Sequence, residues 1–174
     1  AQGSDHERHD GGTQIFWAGD RMIYFLMTAA IVVIDQLSKR LMSQWLGLCE
    51  AGACEVVDVL PGFQLVVVHN TGAAFSFLAD AGGWQRWFLA TVSLVVSIVI
   101  AVWMMRLKSN EKLLALSLSL ILGGALGNLI DRAFQGYVVD FLLLHYDDWY
   151  FPAFNVADSS VSVGAALMIL DVVL

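Results

Sequence analysis

The chain has 174 residues, 58% of them hydrophobic and only 14% charged, with a net charge of −7 and a mean hydropathy of +0.69. Soluble domains are roughly 45–50% apolar and about 25% charged, so composition alone places this chain in a membrane, with room for one compact bundle. The acidic balance excludes a nucleic-acid partner, and two cysteines and four histidines without metal-ligand spacing suggest neither a disulfide framework nor a metal site, and no cofactor is expected.

Residues 1–20 open with AQGSDHERHDGG, which is polar, charged and Gly-rich. They read as a disordered tail or a cloning remnant, and residues 21–174 as a single transmembrane domain. A hydrocarbon core about 30 Å thick needs roughly 20 apolar residues of helix. The first span is expected over about 22–46, broken only by Asp35, Lys39 and Arg40; its length and internal charges set it apart from a signal peptide. The loop that follows is acidic and carries Cys49 and Cys54, which an oxidising compartment would bridge as readily as leave unpaired. Within it, Glu55 to Val68 mixes Val, Leu and Phe around a Pro61-Gly62 turn and predicts a short β-hairpin. Thr71 to Leu78 fits a short helix or a strand equally well.

The second span, about 87–105, has no ionisable group. The third, about 113–130, carries Gly123 and Gly127 in a GxxxG pair that lets another helix approach closely. The fourth runs over about 155–174, and the chain stops at Leu174 within an apolar run, as though natural residues followed. Arg106, Lys108 and Lys112 crowd the short connection between spans two and three, whereas Trp45 to Gln85 has no Lys or Arg. Short cationic loops stay in the cytoplasm. Both termini are therefore expected inside, with the long loop and residues 131–154 outside.

Ionisable groups in or beside spans cost about 2.5–3.5 kcal/mol each on insertion scales, so their positions call for a reason. Here most gather at the external end. Asn128, Asp131 and Arg132 stand at i, i+3 and i+4 on one helix face, as do Asn155 and Asp158 at i and i+3; Asp140 lies in the intervening loop, Asn70 in the long loop. Asp35 points to the same side and, with Lys39 at i+4, has a built-in counter-ion. Such a pocket suits two carboxylates sharing one proton: the ionised one takes a proton from water, the protonated one gives a proton to a carbonyl. Neither cysteine lies near a polar helix end, and no Ser–His arrangement is evident. Structural alternatives stand beside this. Asp131 with Arg132, or Asp35 with Lys39, would serve as ion pairs, and Asp158 as a favourable charge at a helix N-terminus. Asp147 and Asp148 sit in a polar loop and read as solvated.

The segments Ile34-Asp35-Gln36-Leu37-Ser38-Lys39, Asn70-Thr71-Gly72-Ala73-Ala74-Phe75-Ser76, Gly123 to Arg132 (GGALGNLIDR), Val138-Val139-Asp140-Phe141 and Phe154-Asn155-Val156-Ala157-Asp158-Ser159 resemble, in order, the signature blocks of bacterial lipoprotein signal peptidase, or signal peptidase II. The resemblance extends over about Met22 to Leu174. It implies an all-α membrane protein, a four transmembrane helix bundle with a small external β-rich cradle, in the bacterial cytoplasmic (inner) membrane. It implies an aspartic endopeptidase with Asp140 and Asp158 as its catalytic dyad. Asn70, Asn128, Arg132 and Asn155 would lie around the substrate and around globomycin-type inhibitors, with Asp35, Lys39 and Asp131 in support. The partners implied are membrane lipid and lipid-modified prolipoprotein signal peptides, cut just before a diacylglyceryl-modified Cys. A carboxylate-based ion or proton transporter is the rival from another class, but it would spread polar groups through the membrane depth. A purely structural subunit would leave the clustered Asn, Asp and Arg unexplained.

Overall fold

The computed structural model describes residues 18–49, 55–72 and 83–174. Four long helices carry the fold: α1 (Ala18–Leu46), α2 (Trp84–Arg106), α3 (Lys112–Phe134) and α4 (Val156–Val173), each with a stretch long and apolar enough to cross a membrane. The anticipated spans match these within a few residues. The largest difference is at the end of α3, which continues past Ile130 to Phe134, so Asp131 and Arg132 are helical residues and not the first of the loop. Gly136, at φ 90°, sits just past the helix end, and its N–H closes back on the Asp131 carbonyl at 3.1 Å.

The bundle is built inside out relative to a soluble one. Leu26, Val33, Ile34, Leu37 and Leu41 of α1, and Val95, Ile98 and Val99 of α2, are exposed, an apolar girdle that only lipid can cover. The interior faces carry small and polar residues. α3 is central and packs on the other three helices. Two glycines set its distances. A Cβ at Gly124 would collide with the Ala157 carbonyl of α4, and one at Gly127 would lie 2.6 Å from Asp35 Oδ2 of α1. The GxxxG pair thus faces α1, with Gly123 against Ile31. Hydroxyls join the helices where apolar packing gains little over lipid: Thr28 Oγ1 donates to the Ser119 carbonyl at 3.1 Å and Ser160 Oγ to the Leu120 carbonyl at 2.8 Å. Ile100, Met104, Leu107, Leu118 and Leu122 fill the α2–α3 seam.

A four-stranded antiparallel sheet in the order β1-β2-β3-β4 stands at one end of the bundle, made of β1 (Val57–Leu60), β2 (Phe63–Asn70), β3 (Val138–Tyr146) and β4 (Trp149–Tyr150). β1 and β2 form the hairpin expected at Pro61-Gly62, where Gly62 has φ 81°. β3 was expected only as loop. It pairs with β2 along most of its length, and Asp147, at φ 48°, turns the chain into β4. Leu46, Val67, Val139 and Phe141 form a second core between sheet and bundle. Cys49 is disulfide-bonded. The chain's other cysteine, Cys54, lies outside the described residues, as does the larger part of the undecided Thr71–Leu78 segment.

Candidate active site

The register of β2 on β3 places the first carboxylate. Asn70 pairs with Val138 and Val68 with Asp140. Alternate residues of a strand share a face, so Asn70 and Asp140 are diagonal neighbours on one side of the sheet. Asn70 Nδ2 donates to Asp140 Oδ2 at 3.0 Å. A backbone clasp places the second. Phe154 exchanges hydrogen bonds with Leu142, accepting at 2.8 Å and donating at 2.9 Å, which holds the entry to α4 against the middle of β3. Asn155 then caps α4 in a capping box, its Oδ1 accepting from the Asp158 N–H at 2.9 Å while Asp158 Oδ2 accepts from the Asn155 N–H at 3.2 Å. The helix-terminal role considered for Asp158 is therefore real, but it occupies only one carboxylate oxygen. The other accepts from Asn128 Nδ2 at 2.8 Å. Asn155 Nδ2 crosses to Asp140 Oδ1 at 2.7 Å, joining the two aspartates through one side chain.

Asp140 and Asp158 line one cavity of about 800 Å³, together with Asn70, Asn128, Arg132 and apolar residues of β2, β3 and α4. Asp140 is only 3% exposed. Burial first, then the negative charge of Asp158, raises its carboxyl to about 6, against the lowering effect of the Asn70 and Asn155 hydrogen bonds. His69 forms part of the wall, stacked on Tyr137 with ring centroids 3.8 Å apart, and burial lowers its pKa. Arg132 donates through Nη2 to the Gly72 carbonyl at 3.1 Å; its Nε is buried with no hydrogen-bond partner among the described residues. Among those residues, no group of three or more His, Cys, Asp or Glu is arranged to hold a metal ion.

Behind the cavity lies a second cluster. Lys39 Nζ is 2.8 Å from Asp35 Oδ2 and 2.8 Å from Asp131 Oδ2, with all three side chains buried. Asp35 Oδ1 also accepts from the Ala157 N–H at 2.9 Å, which secures α4 to α1. The pairing of Asp35 with Lys39 was legible from the i, i+4 spacing. The alternative pairing of Asp131 with Arg132 does not occur, because adjacent helical residues do not face each other. All nine residues singled out from the sequence thus converge on the cavity and the cluster behind it.

Two residues were missed. Gln36 Nε2 donates to Asp131 Oδ1 at 2.8 Å and to the Gly127 carbonyl at 3.2 Å. Arg86 caps the C-terminus of α3, donating to the Arg132 carbonyl at 2.8 Å and the Ala133 carbonyl at 2.7 Å. The available signals were a second polar residue beside Asp35 inside a span, and a cation at the entry of α2.

Known proteins resemble this chain over most of its length. Residues 27–174 match the family model for signal peptidase (SPase) II. The chain is 49% identical over 150 residues to the lipoprotein signal peptidase of Ectopseudomonas mendocina (strain ymp), covering 85% of this chain and 86% of that protein. It is 48% identical over 152 residues to the lipoprotein signal peptidase of Pseudomonas aeruginosa (strain UCBPP-PA14), covering 87% and 88%. Two solved structures described as bacterial membrane enzymes superpose with TM-scores of 0.75 and 0.71 at 26% identity, each covering 92% of this chain. With the matched region running from within α1 through α4 and taking in both carboxylates of the cavity, the chain belongs to the signal peptidase II family.

Proposed function

We propose that this protein is an aspartic endopeptidase of the bacterial cytoplasmic membrane that releases the signal peptide of prolipoproteins by cutting just before a diacylglyceryl-modified Cys, with Asp140 and Asp158 as its dyad. One observation carries the proposal. Two carboxylates share a cavity in which every hydrogen bond they accept comes from a neutral amide or a backbone N–H, and the more buried of them keeps its proton up to about pH 6. Asp140 is then the acid and Asp158 the base. The Asp158 carboxylate takes a proton from water as the water oxygen bonds to the scissile carbonyl carbon, and Asp140 gives its proton to the carbonyl oxygen. The tetrahedral adduct collapses when the proton held by Asp158 passes to the leaving nitrogen; the C–N bond breaks and the hydroxyl proton returns to Asp140. The products are a signal peptide with a free carboxylate and a lipoprotein with a free amino group on its Cys. The unpartnered Nε of Arg132 is available to a substrate carbonyl, and the apolar wall of the cavity to the signal helix and acyl chains. Globomycin-type inhibitors would occupy the same cavity.

Both termini face the cytoplasm in this proposal, and the sheet and cavity face outward, an orientation supported by the cations between α2 and α3. An ion pathway fits less well: α2 contributes Ser97 and Gln85 as its buried polar side chains and has no charge between Trp87 and Met105. The test is reconstitution of the purified protein in lipid with a diacylglyceryl-Cys precursor peptide. Cleavage at the bond before the lipidated Cys is expected, and its absence in a folded preparation refutes the activity. A cysteine at Ser109 should be labelled only from the cytoplasmic side. Labelling from outside would reverse the topology and remove the cavity from exported substrates.

A further inference from the structure

Asn70, Asn128 and Asn155 all present their NH2 groups to the dyad, and a primary amide can do that only while it is not turned over. Reversal exchanges NH2 for an oxygen of nearly the same size, so packing does not choose between the two; the hydrogen-bond partners do. Asn70 Oδ1 accepts from the Gly72 N–H at 3.0 Å, and Asn155 Oδ1 accepts from the Asp158 N–H at 2.9 Å. Both are backbone donors that can never accept. Asn128 differs. Its Oδ1 accepts from Lys39 Nζ at 3.0 Å, with a longer contact from Asn155 Nδ2 at 3.3 Å, and its Nδ2 donates to Asp158 Oδ1. Its orientation is thus fixed chiefly by a side chain, the buried ammonium held between Asp35 and Asp131.

We propose that Lys39 is a positioning residue for hydrolysis: as a group that can only donate, it holds the Asn128 carbonyl oxygen and thereby keeps the Asn128 NH2 on Asp158. With the amide reversed, a carbonyl oxygen would face the Asp158 carboxylate. That contact favours a protonated Asp158, which cannot take a proton from water. The charged groups around Asp158 are Asp140 on β3 and Arg132 on α3, and those around Lys39 are Asp35 on α1 and Asp131 on α3. Lys39 makes no ion pair with either carboxylate of the dyad; its charge acts through space on Asp140, and its hydrogen-bonded link to Asp158 runs through Asn128. The inference rests on Asp140 and Asp158 being the dyad.

The test replaces Lys39 without leaving a bare charge. In Lys39→Gln with Asp131→Asn, one positive and one negative charge leave together, and the Gln amide can donate or accept. In the reconstituted enzyme, kcat should fall about 10²-fold with KM within about twofold, as for loss of a positioned base. The acid limb of the kcat profile should move up by about one pH unit. Asn128→Asp keeps a partner for Lys39 but cannot donate to Asp158, and should move the limb the same way. In an Asn128→Ala background, the Lys39→Gln/Asp131→Asn change should lower kcat no further. An unmoved limb, or an equal loss of kcat in the Asn128→Ala background, overturns the proposal. If the charge-balanced variant does not fold, the wild-type enzyme labelled with 15N decides: the side-chain NH2 signal that Asn128→Asp removes should shift as the dyad titrates, and a signal blind to pH overturns it. The two failures stay separate, because a fully active Asp158→Asn refutes the dyad itself, whereas an inactive Asp158→Asn beside an unmoved limb refutes only the role of Lys39.

Discussion

Two pairs of aspartates lie side by side in this molecule, and their surroundings differ in one respect. Asp35 and Asp131 have an ammonium between them, 2.8 Å from each. Asp140 and Asp158 have only amides and a backbone N–H. A carboxylate paired with a buried cation is tied to that partner, and using it as an acid or base would break the pair. A carboxylate held by neutral donors is oriented as firmly but remains free to titrate. The same residue type thus becomes a structural tie in one place and an acid–base group in the other, according to whether a Lys lies within reach.

The largest expected effect comes from removing the proton from the second pair. Asp140→Asn and Asp158→Asn should each lower turnover of a lipidated precursor by 10²-fold or more, since a positioned acid or base typically contributes about 10²–10⁴-fold. The double variant should be hardly worse than either single one, as for groups that act as a unit. Binding should persist, because it draws on the apolar cavity and on Arg132, which these changes leave in place. Near wild-type cleavage by either folded variant would end the distinction between the two pairs.

The first pair should fail in a different way. Lys39→Met strands two buried carboxylates, and breaking a buried pair from one side typically costs about 3–5 kcal/mol. Thermal unfolding in detergent should show a large loss of stability, on top of the fall in kcat that loss of the Asn128 contact brings. Asp35→Asn should cost less, since Lys39 keeps Asp131, though the Ala157 N–H loses its charged acceptor. Full stability with complete loss of cleavage in Asp35→Asn would move Asp35 from the structural pair into the chemistry.

Much of this contrast was legible in the sequence. Helical spacing alone pairs Asp35 with Lys39, and the gathering of Asn128, Asp131, Arg132, Asn155 and Asp158 at the external span ends marks the site. The hairpin followed from Pro61-Gly62. β3 did not, because Val138–Tyr146 lacks the alternation that marks a strand with one wet face; Val138 to Phe141 are all buried. Nor could sequence spacing match Asp131 to Lys39, since the two lie on different helices, brought together here where Gly127 lets Asp35 approach α3. The roles of the asparagines depend on which end of each amide is already occupied, and that is a tertiary fact.

The smallest effect separates the pairs by pH. Asp140 has its pKa raised to about 6 from the ordinary carboxylate value of 3.8, first by burial and then by Asp158. A carboxyl with a raised folded-state pKa binds more protons folded than unfolded between those values, so it costs stability as pH climbs through that window, with the full penalty present above about 6. The penalty is on the order of 3 kcal/mol at about 1.4 kcal/mol per unit. Asn in its place carries no charge, but one of the donors from Asn70 and Asn155 then meets an NH2, returning about 1–1.5 kcal/mol. Asp140→Asn should therefore unfold later than wild type at pH 8 by an amount equivalent to about 1–2 kcal/mol. The advantage should shrink as pH falls below 6 and be absent once the pH is well below 3.8, where Asp140 is largely protonated in both states. An Asp131→Asn control should lose stability at pH 8, because it removes a partner of Lys39. Parallel behaviour of the two variants at pH 8 would mean that the amide-held and ammonium-held aspartates do not differ as their surroundings say they must.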